Sequence, residues 1–341
     1  MADQQTVSPG LEGEGACGRA PLVDAITAFL THERAPAVRE LRESLELVID
    51  EAGPDALACL SNSLSSAGTD WRYYPRDPLV RRIHHVLADR VLEQEPVLIG
   101  AEHLAAVAGE PLVILANHLS YVDANVLEVV LQRSGAPGLA DRLTVVAGPK
   151  VYSSVKRRFS SLCFGTIKVP QSSGRATDEA VMTVRDVARG ARRAIQVAHE
   201  RLRLGDSLLI FAEGTRSRTG EMQPLLSAVA RYLEWPGTWV LPVALSGTER
   251  LFPVGRDSLS PVRIVVRAGR PFPAGALRAA ARHSRRLMMD AAGLAIAELL
   301  PSEYRGAYAD GAPGLEDARE VRQSLITDPR IDGSKDPRIS D

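Results

Sequence analysis

Long apolar runs are missing from this sequence. The longest, such as Leu112 to Ala116 and Trp239 to Leu245, fall far short of the ~20 residues that a membrane-crossing helix needs. Cysteine is scarce: Cys17, Cys59 and Cys163, with no metal-ligand spacing between any two. An odd, sparse set fits a reduced cytoplasmic protein better than a disulfide scaffold. An excess of either charge is missing too. Against 41 Lys and Arg stand 42 Asp and Glu, a net charge of −1, so nucleic-acid binding is not expected and any basic face must be local. The opening MADQQTVSPG has no basic start leading into an apolar run, and no signal peptide is expected. What is present suits a folded core: 341 residues, 45% apolar and 24% charged, enough for one large domain or two ordinary ones.

Residues 1–20 are polar and glycine-rich and are expected to be a disordered tail. They contain Gly13-x-Gly15-x-x-Gly18, but a dinucleotide fingerprint needs a strand before it and a helix opening from it. Residues 21–95 read as a helical region with segments at 22–32, 37–51, 55–66 and 79–93. Pro36 and Pro54 stand at helix starts, where proline is tolerated. From 96 to 308 short β-prone runs (97–99, 112–116, 143–147, 164–169, 207–212, 239–245, 262–268) alternate with helical patterns (123–134, 178–203, 224–234, 277–300). That alternation predicts an α/β domain, a mixed or mostly parallel sheet flanked by helices, with its ligands at the strand ends. Residues 309–341 turn polar and are expected to be a flexible tail.

Two constellations carry chemistry. Ala116-Asn117-His118-Leu119-Ser120-Tyr121-Val122-Asp123 follows the strand Leu-Val-Ile-Leu directly. On one continuous helix, five residues would turn His118 and Asp123 apart. With a turn at Leu119–Ser120 the carboxylate can swing back to the ring. There it would fix the tautomer and leave the second nitrogen to take a proton from a substrate hydroxyl. The plainer alternative makes Ser120-x-x-Asp123 a capping box and His118 a hydrogen-bonded edge residue.

The second constellation is Phe211-Ala212-Glu213-Gly214-Thr215-Arg216-Ser217-Arg218-Thr219-Gly220, again behind a strand. Gly214 permits an unusual backbone angle, Thr215 offers a hydroxyl, and the guanidinium forks of Arg216 and Arg218 suit phosphate. Glu213 can hold an arginine in place. The plainer alternative is a polar turn with a solvated Glu–Arg pair.

Together, Asn117-His118-x-x-x-x-Asp123 and Phe211-x-Glu213-Gly214-Thr215-Arg216 resemble the glycerolipid acyltransferase family, over about residues 100 to 310. Val240-Leu241-Pro242-Val243 and Phe164-Gly165-Thr166-Ile167-Lys168-Val169-Pro170 lie where further family blocks belong. Gly247-Thr248-Glu249-Arg250-Leu251-Phe252-Pro253 and Leu300-Pro301-x-x-Tyr304-Arg305-Gly306 look like segments of bacterial members. The second block departs from the family pattern. That block usually ends in an arginine-bearing tail; here Lys168 is the nearest cation, and Arg175 comes seven residues later.

The resemblance implies a fatty acyl transfer from acyl-CoA or acyl carrier protein to the hydroxyl of lysophosphatidate in phospholipid synthesis. Glycerol-3-phosphate is the alternative acceptor, and a catalytically silent lipid-binding protein is the alternative role. It implies His118 as base and Asp123 as its orienting partner. Glu213, Gly214, Thr215, Arg216 and Lys168 would hold the acceptor phosphate, and Asn117 or Lys150 would serve as oxyanion donor or support. No metal or bound cofactor is implied. A cytoplasmic protein held peripherally on the inner membrane face is expected to use a basic patch against anionic lipid. Lys156, Arg157 and Arg158, interleaved with Tyr152, Val155 and Phe159, are the candidate surface.

Overall fold

The computed structural model describes residues 18–28, 35–92, 96–134, 136–170, 183–251 and 262–327. Among these, nine strands follow in chain order: β1 (Tyr73–Tyr74), β2 (Val97–Ile99), β3 (Leu112–Ala116), β4 (Leu143–Ala147), β5 (Gly165–Lys168), β6 (Ser207–Phe211), β7 (Trp239–Ser246), β8 (Val265–Ala268) and β9 (Phe272–Pro273). The helices are α1 (Arg19–Thr27), α2 (Ala35–Ser66), α3 (Pro78–Val91), α4 (Ala101–Ala106), α5 (Asp123–Arg133), α6 (Pro137–Ala140), α7 (Val155–Ser161), α8 (Val184–Arg203), α9 (Thr248–Leu251), α10 (Ala274–Ala280), α11 (Arg285–Ala297) and α12 (Glu316–Thr327).

The chain divides into two compact units that interleave along the sequence. The first takes residues 1–95, 147–194 and 250–263; the second takes 96–146, 195–249 and 264–341. Residues 147–194, read from the sequence as part of the α/β domain, fall in the same unit as the helical N-terminal part.

In the first unit, α2 breaks at Gly53, whose φ of 79° opens a kink before Pro54. Proline lacks a backbone donor, so it serves best at a helix start. The two arms correspond to the separate helices read from the sequence. Leu41, Leu45, Ile49 and Leu60 are fully buried along them, at the spacing of one helix face. The N-terminus of α3 is capped by Asp77, whose carboxylate accepts from Leu79 N at 2.9 Å and Val80 N at 3.2 Å. Strands β1 and β5 pair antiparallel, Tyr73 against Ile167 and Tyr74 against Thr166.

In the second unit the strand order is β4-β6-β3-β7-β8-β2, with β9 paired to β7. Pairs β4–β6, β6–β3, β3–β7 and β8–β2 are parallel, while β7–β8 and β7–β9 are antiparallel. The sheet is therefore mixed. All five residues of the central β3 are buried, as expected of a strand covered on both faces. Helix α11 packs on β3 and β7.

Two expectations need correction. The single helix read over 277–300 is two, α10 and α11. Arg282 and His283 take left-handed backbone angles, φ 49° and 63°, and Ser284 then caps α11 through Leu287 N at 3.3 Å. The tail read from 309 is not a tail as far as Thr327. Helix α12 packs on α10 and α11 and buries Ala318, Val321 and Leu325. Its amphipathic spacing was masked by the polar composition around it. Residues 328–341, residues 1–17 and Arg175 lie outside the described residues, as do Phe252 and Pro253. No described helix is long and apolar enough to cross a membrane.

Candidate active site

The two constellations meet at the carboxyl ends of neighbouring parallel strands. Ala116 at the end of β3 is in register with Phe211 at the end of β6, so each motif leaves the sheet at the same level. This is where open α/β sheets place their ligands.

The backbone turns after Ala116 and does not enter α5 until Asp123. That turn lets the carboxylate reach back. Asp123 Oδ2 lies 2.8 Å from His118 Nδ1 and accepts Leu119 N at 2.7 Å and Ser120 N at 2.9 Å. Asp123 is wholly buried, and the His118 side chain keeps 18% of its surface exposed. Asp123 joins the ring to the turn, but the expected capping box is incomplete, since the N-cap of α5 is Val122 and no side chain caps it. One oxygen ties the turn to the start of α5 and holds the ring. A carboxylate on Nδ1 leaves Nε2 as the nitrogen able to take a proton. Among the described residues Nε2 has no hydrogen-bond partner. The ring also stacks on Phe211, centroids 4.2 Å apart at 18°, which limits its rotation.

Asn117 faces the other neighbour of β3. Its amide donates to Leu245 O at 3.0 Å and accepts Leu245 N at 2.8 Å, fully buried. Both polar ends are spent on β7. Asn117 thus ties the end of β3 to β7.

The second motif is sewn to the first through the backbone. Glu213, fully buried, accepts His118 N at 2.7 Å with one oxygen and Gln223 N at 2.7 Å with the other. Ser217 N in turn donates to His118 O at 2.7 Å. Both main-chain polar groups of His118 are therefore held by the second motif. Burial pushes the Glu213 carboxyl up to about 7, although the two N–H donors and His118 pull it back. The expectation that Glu213 binds phosphate is not met. A buried carboxylate turned onto two amides offers nothing to an anion.

Gly214 has φ 72°, the left-handed angle its position in the turn requires. Gly214 and Thr215 are exposed, and Arg216 is half-buried. The Arg216 guanidinium lies over the Tyr121 ring, 4.0 Å from its centroid. This stacking carries a permanent cation beside the His118 turn. No grouping of His, Cys, Asp and Glu among the described residues could hold a metal ion.

Residues 95–246 match the family model described as Acyltransferase. This stretch is an acyltransferase domain. The match spans both constellations and the strands β2, β3, β4, β5, β6 and β7. No curated protein matches the chain. Among solved structures, the chain is similar to the 1-acyl-sn-glycerophosphate acyltransferase PlsC from Thermotoga maritima, at 18% identity and a TM-score of 0.40, over 76% of this chain and 88% of that one.

Two of the expected site residues lie in the first unit. Lys168 donates its ammonium to Gly68 O and sits 4.7 Å from the centroid of the Trp71 ring. Lys150 lies in a short 3₁₀ turn, Pro149–Tyr152. The apolar partners of the expected membrane patch are also placed. Tyr152 and Phe159 are each 6% exposed, core residues and not lipid contacts. Arg157 and Arg158 direct guanidinium nitrogens to the carbonyls of Lys150 and Tyr152, at 3.3 and 3.1 Å.

Sequence reasoning missed the backbone role of Glu213 and the stack of Arg216 on Tyr121. Neither has a spacing signal, since both depend on strands 95 residues apart meeting in register.

Proposed function

We propose that this acyltransferase moves a fatty acyl group from a thioester, acyl-CoA or acyl carrier protein, to the hydroxyl of lysophosphatidate. The observation that carries the reading is the 2.8 Å contact between His118 Nδ1 and Asp123, in a turn fixed at both backbone ends by the Glu213–Ser217 segment. His118 Nε2 takes the proton of the acceptor hydroxyl as its oxygen attacks the thioester carbonyl. The carbonyl π bond opens to an oxyanion. When it re-forms, the C–S bond breaks and the thiolate leaves with the proton from the imidazolium. The Asp123 carboxylate, 2.8 Å from Nδ1, stabilises that imidazolium. Both substrates are bound together and no acyl-enzyme is needed.

Arg216, with the exposed backbone of Gly214 and the Thr215 hydroxyl, binds the acceptor phosphate. Its planar fork suits two phosphate oxygens, and the Tyr121 ring keeps it in place without neutralising it. Glu213 positions His118 and does not touch substrate. Peripheral attachment to anionic lipid on the cytoplasmic side, through Lys156, Arg157 and Arg158, belongs to the same proposal.

A product assay tests the reading. Lysophosphatidate and glycerol-3-phosphate are offered separately with acyl-CoA and with acylated carrier protein, and the lipid product is identified. Diacylglycerol phosphate from lysophosphatidate is the expected product. Turnover of glycerol-3-phosphate alone would move the acceptor to the soluble alternative. No product from any pair would refute the proposal.

A further inference from the structure

We infer that Tyr308, assisted by Tyr304 and Gly306, is a positioning residue for the acceptor-binding loop, although all three lie beyond the stretch that matches the acyltransferase family. The inference rests on the reading of Gly214–Arg216 as the phosphate site. That loop returns to the core through residues 217–226, and its return is pinned at alternate points. Glu213 holds Gln223 N, and Ala212 O accepts Leu226 N at 2.8 Å. The points between belong to the C-terminal segment. Met222 N donates to Tyr304 O and Ala307 N donates to Met222 O, each at 2.9 Å. Leu225 N donates to the Tyr308 hydroxyl at 2.9 Å.

The fit is close on both sides. Gly306 takes φ 47°, and a Cβ there would stand 2.4 Å from Met222 O. A Cβ at Gly293 would stand 2.3 Å from the Tyr308 ring. Glycine at both positions lets segment 304–308 lie directly on the loop and on α11. The Tyr308 hydroxyl also donates to Asp290 Oδ1 at 3.2 Å, and the other Asp290 oxygen accepts Arg286 Nε at 2.6 Å. Burial holds the phenol protonated, so it can accept from Leu225 and donate to Asp290 at once. The Tyr304 hydroxyl donates to Glu249 at 2.8 Å, whose other oxygen accepts Gly247 N at 3.1 Å. That ties the segment to the end of β7, two residues past the Leu245 amide that holds Asn117. The loop carrying Arg216 is thus braced from outside the matched stretch, and its geometry depends on the brace.

The test uses full-length Tyr308→Phe. Loss of the hydroxyl leaves Leu225 N buried without an acceptor. Hydrogen exchange of a peptide covering 221–226 should accelerate. The KM for the phosphorylated acceptor should rise about tenfold, while the KM for the thioester donor stays within about twofold. If Tyr308→Phe melts below assay temperature, Tyr304→Phe removes only the bond to Glu249, and the same split is expected at about threefold. A folded variant with unchanged exchange and unchanged acceptor KM overturns the inference. An equal rise in both KM values overturns it as well, since it would mark general damage. Wild-type protein that transfers no acyl group to either acceptor would instead refute the reading of the site. Exchange would still report whether the brace holds the loop.

Discussion

Replacing Asp123 by Asn removes one charge and little else, and its effect separates catalysis from capping. Three donors converge on Asp123 Oδ2: His118 Nδ1 at 2.8 Å, Leu119 N at 2.7 Å and Ser120 N at 2.9 Å. The second oxygen is buried and has no hydrogen-bond partner among the described residues. An asparagine therefore has one workable orientation, with its oxygen on the three donors and its NH2 in the unpartnered position. The hydrogen bonds survive in weaker, neutral form. We expect a loss of about 1–3 kcal/mol in stability, the usual cost of a buried polar group left unpaired. Catalysis loses more. The imidazolium formed as the hydroxyl is deprotonated no longer has a counter-charge at 2.8 Å, in a position closed to water. A fall in kcat of about 10²–10⁴ is expected, the range for a disabled general base. The assay is thiol release from acyl-CoA at saturating acceptor, beside a thermal melt. A folded Asn variant that keeps kcat within about tenfold would refute the dyad and leave Asp123 as a cap alone.

His118→Ala should lose about 10²–10⁴ in kcat while the protein still folds, because its two backbone bonds to Ser217 and Glu213 do not involve the ring; single-turnover transfer beside a thermal melt checks this. Arg216→Ala should raise KM for the phosphorylated acceptor about tenfold or more while leaving the donor KM in place, measured by varying each substrate in turn. Glu213 is protonated more readily in the folded chain, about 7 against an ordinary 4.5. Its contribution to stability is therefore full below pH 4.5 and is lost as pH rises through 7. Glu213→Gln should remove that slope from a plot of melting temperature against pH, at the cost of one backbone bond. Changing Lys156, Arg157 and Arg158 to Glu should weaken flotation with anionic vesicles at low salt, each cation being worth about 1 kcal/mol at such a surface. With Tyr152 and Phe159 buried, high salt should then release the wild type completely.

How much was legible in the sequence follows from what each feature depends on. Strands β3, β6 and β7 are continuous apolar runs of the right length, and a central buried strand must read that way. The kink at Gly53–Pro54 was legible because proline states its own preference. The break at Arg282–His283 was not, since left-handed angles are uncommon for any residue but glycine and neither Gly nor Pro marks the spot. Helix α12 hid behind its polar face.

The site divides along the same line. His118 and Asp123 sit within one turn, so the contact between them could be anticipated from local geometry. Glu213 sat in a motif with arginine and read as an ion-pair partner. In the fold, its position one residue past a buried alanine at the end of β6 turns it inward. There its two oxygens meet the amides of His118 and Gln223. An acid in a phosphate-binding sequence is otherwise a contradiction, because it would repel the ligand its neighbours attract. Burial resolves that contradiction. Its two oxygens accept from the backbone of His118 and Gln223, and the exposed Gly214, Thr215 and half-exposed Arg216 are left for the anion that the proposed function requires. Under the proposed function, one short segment fixes the base and presents the phosphate site, so acceptor binding and proton transfer would share a common frame.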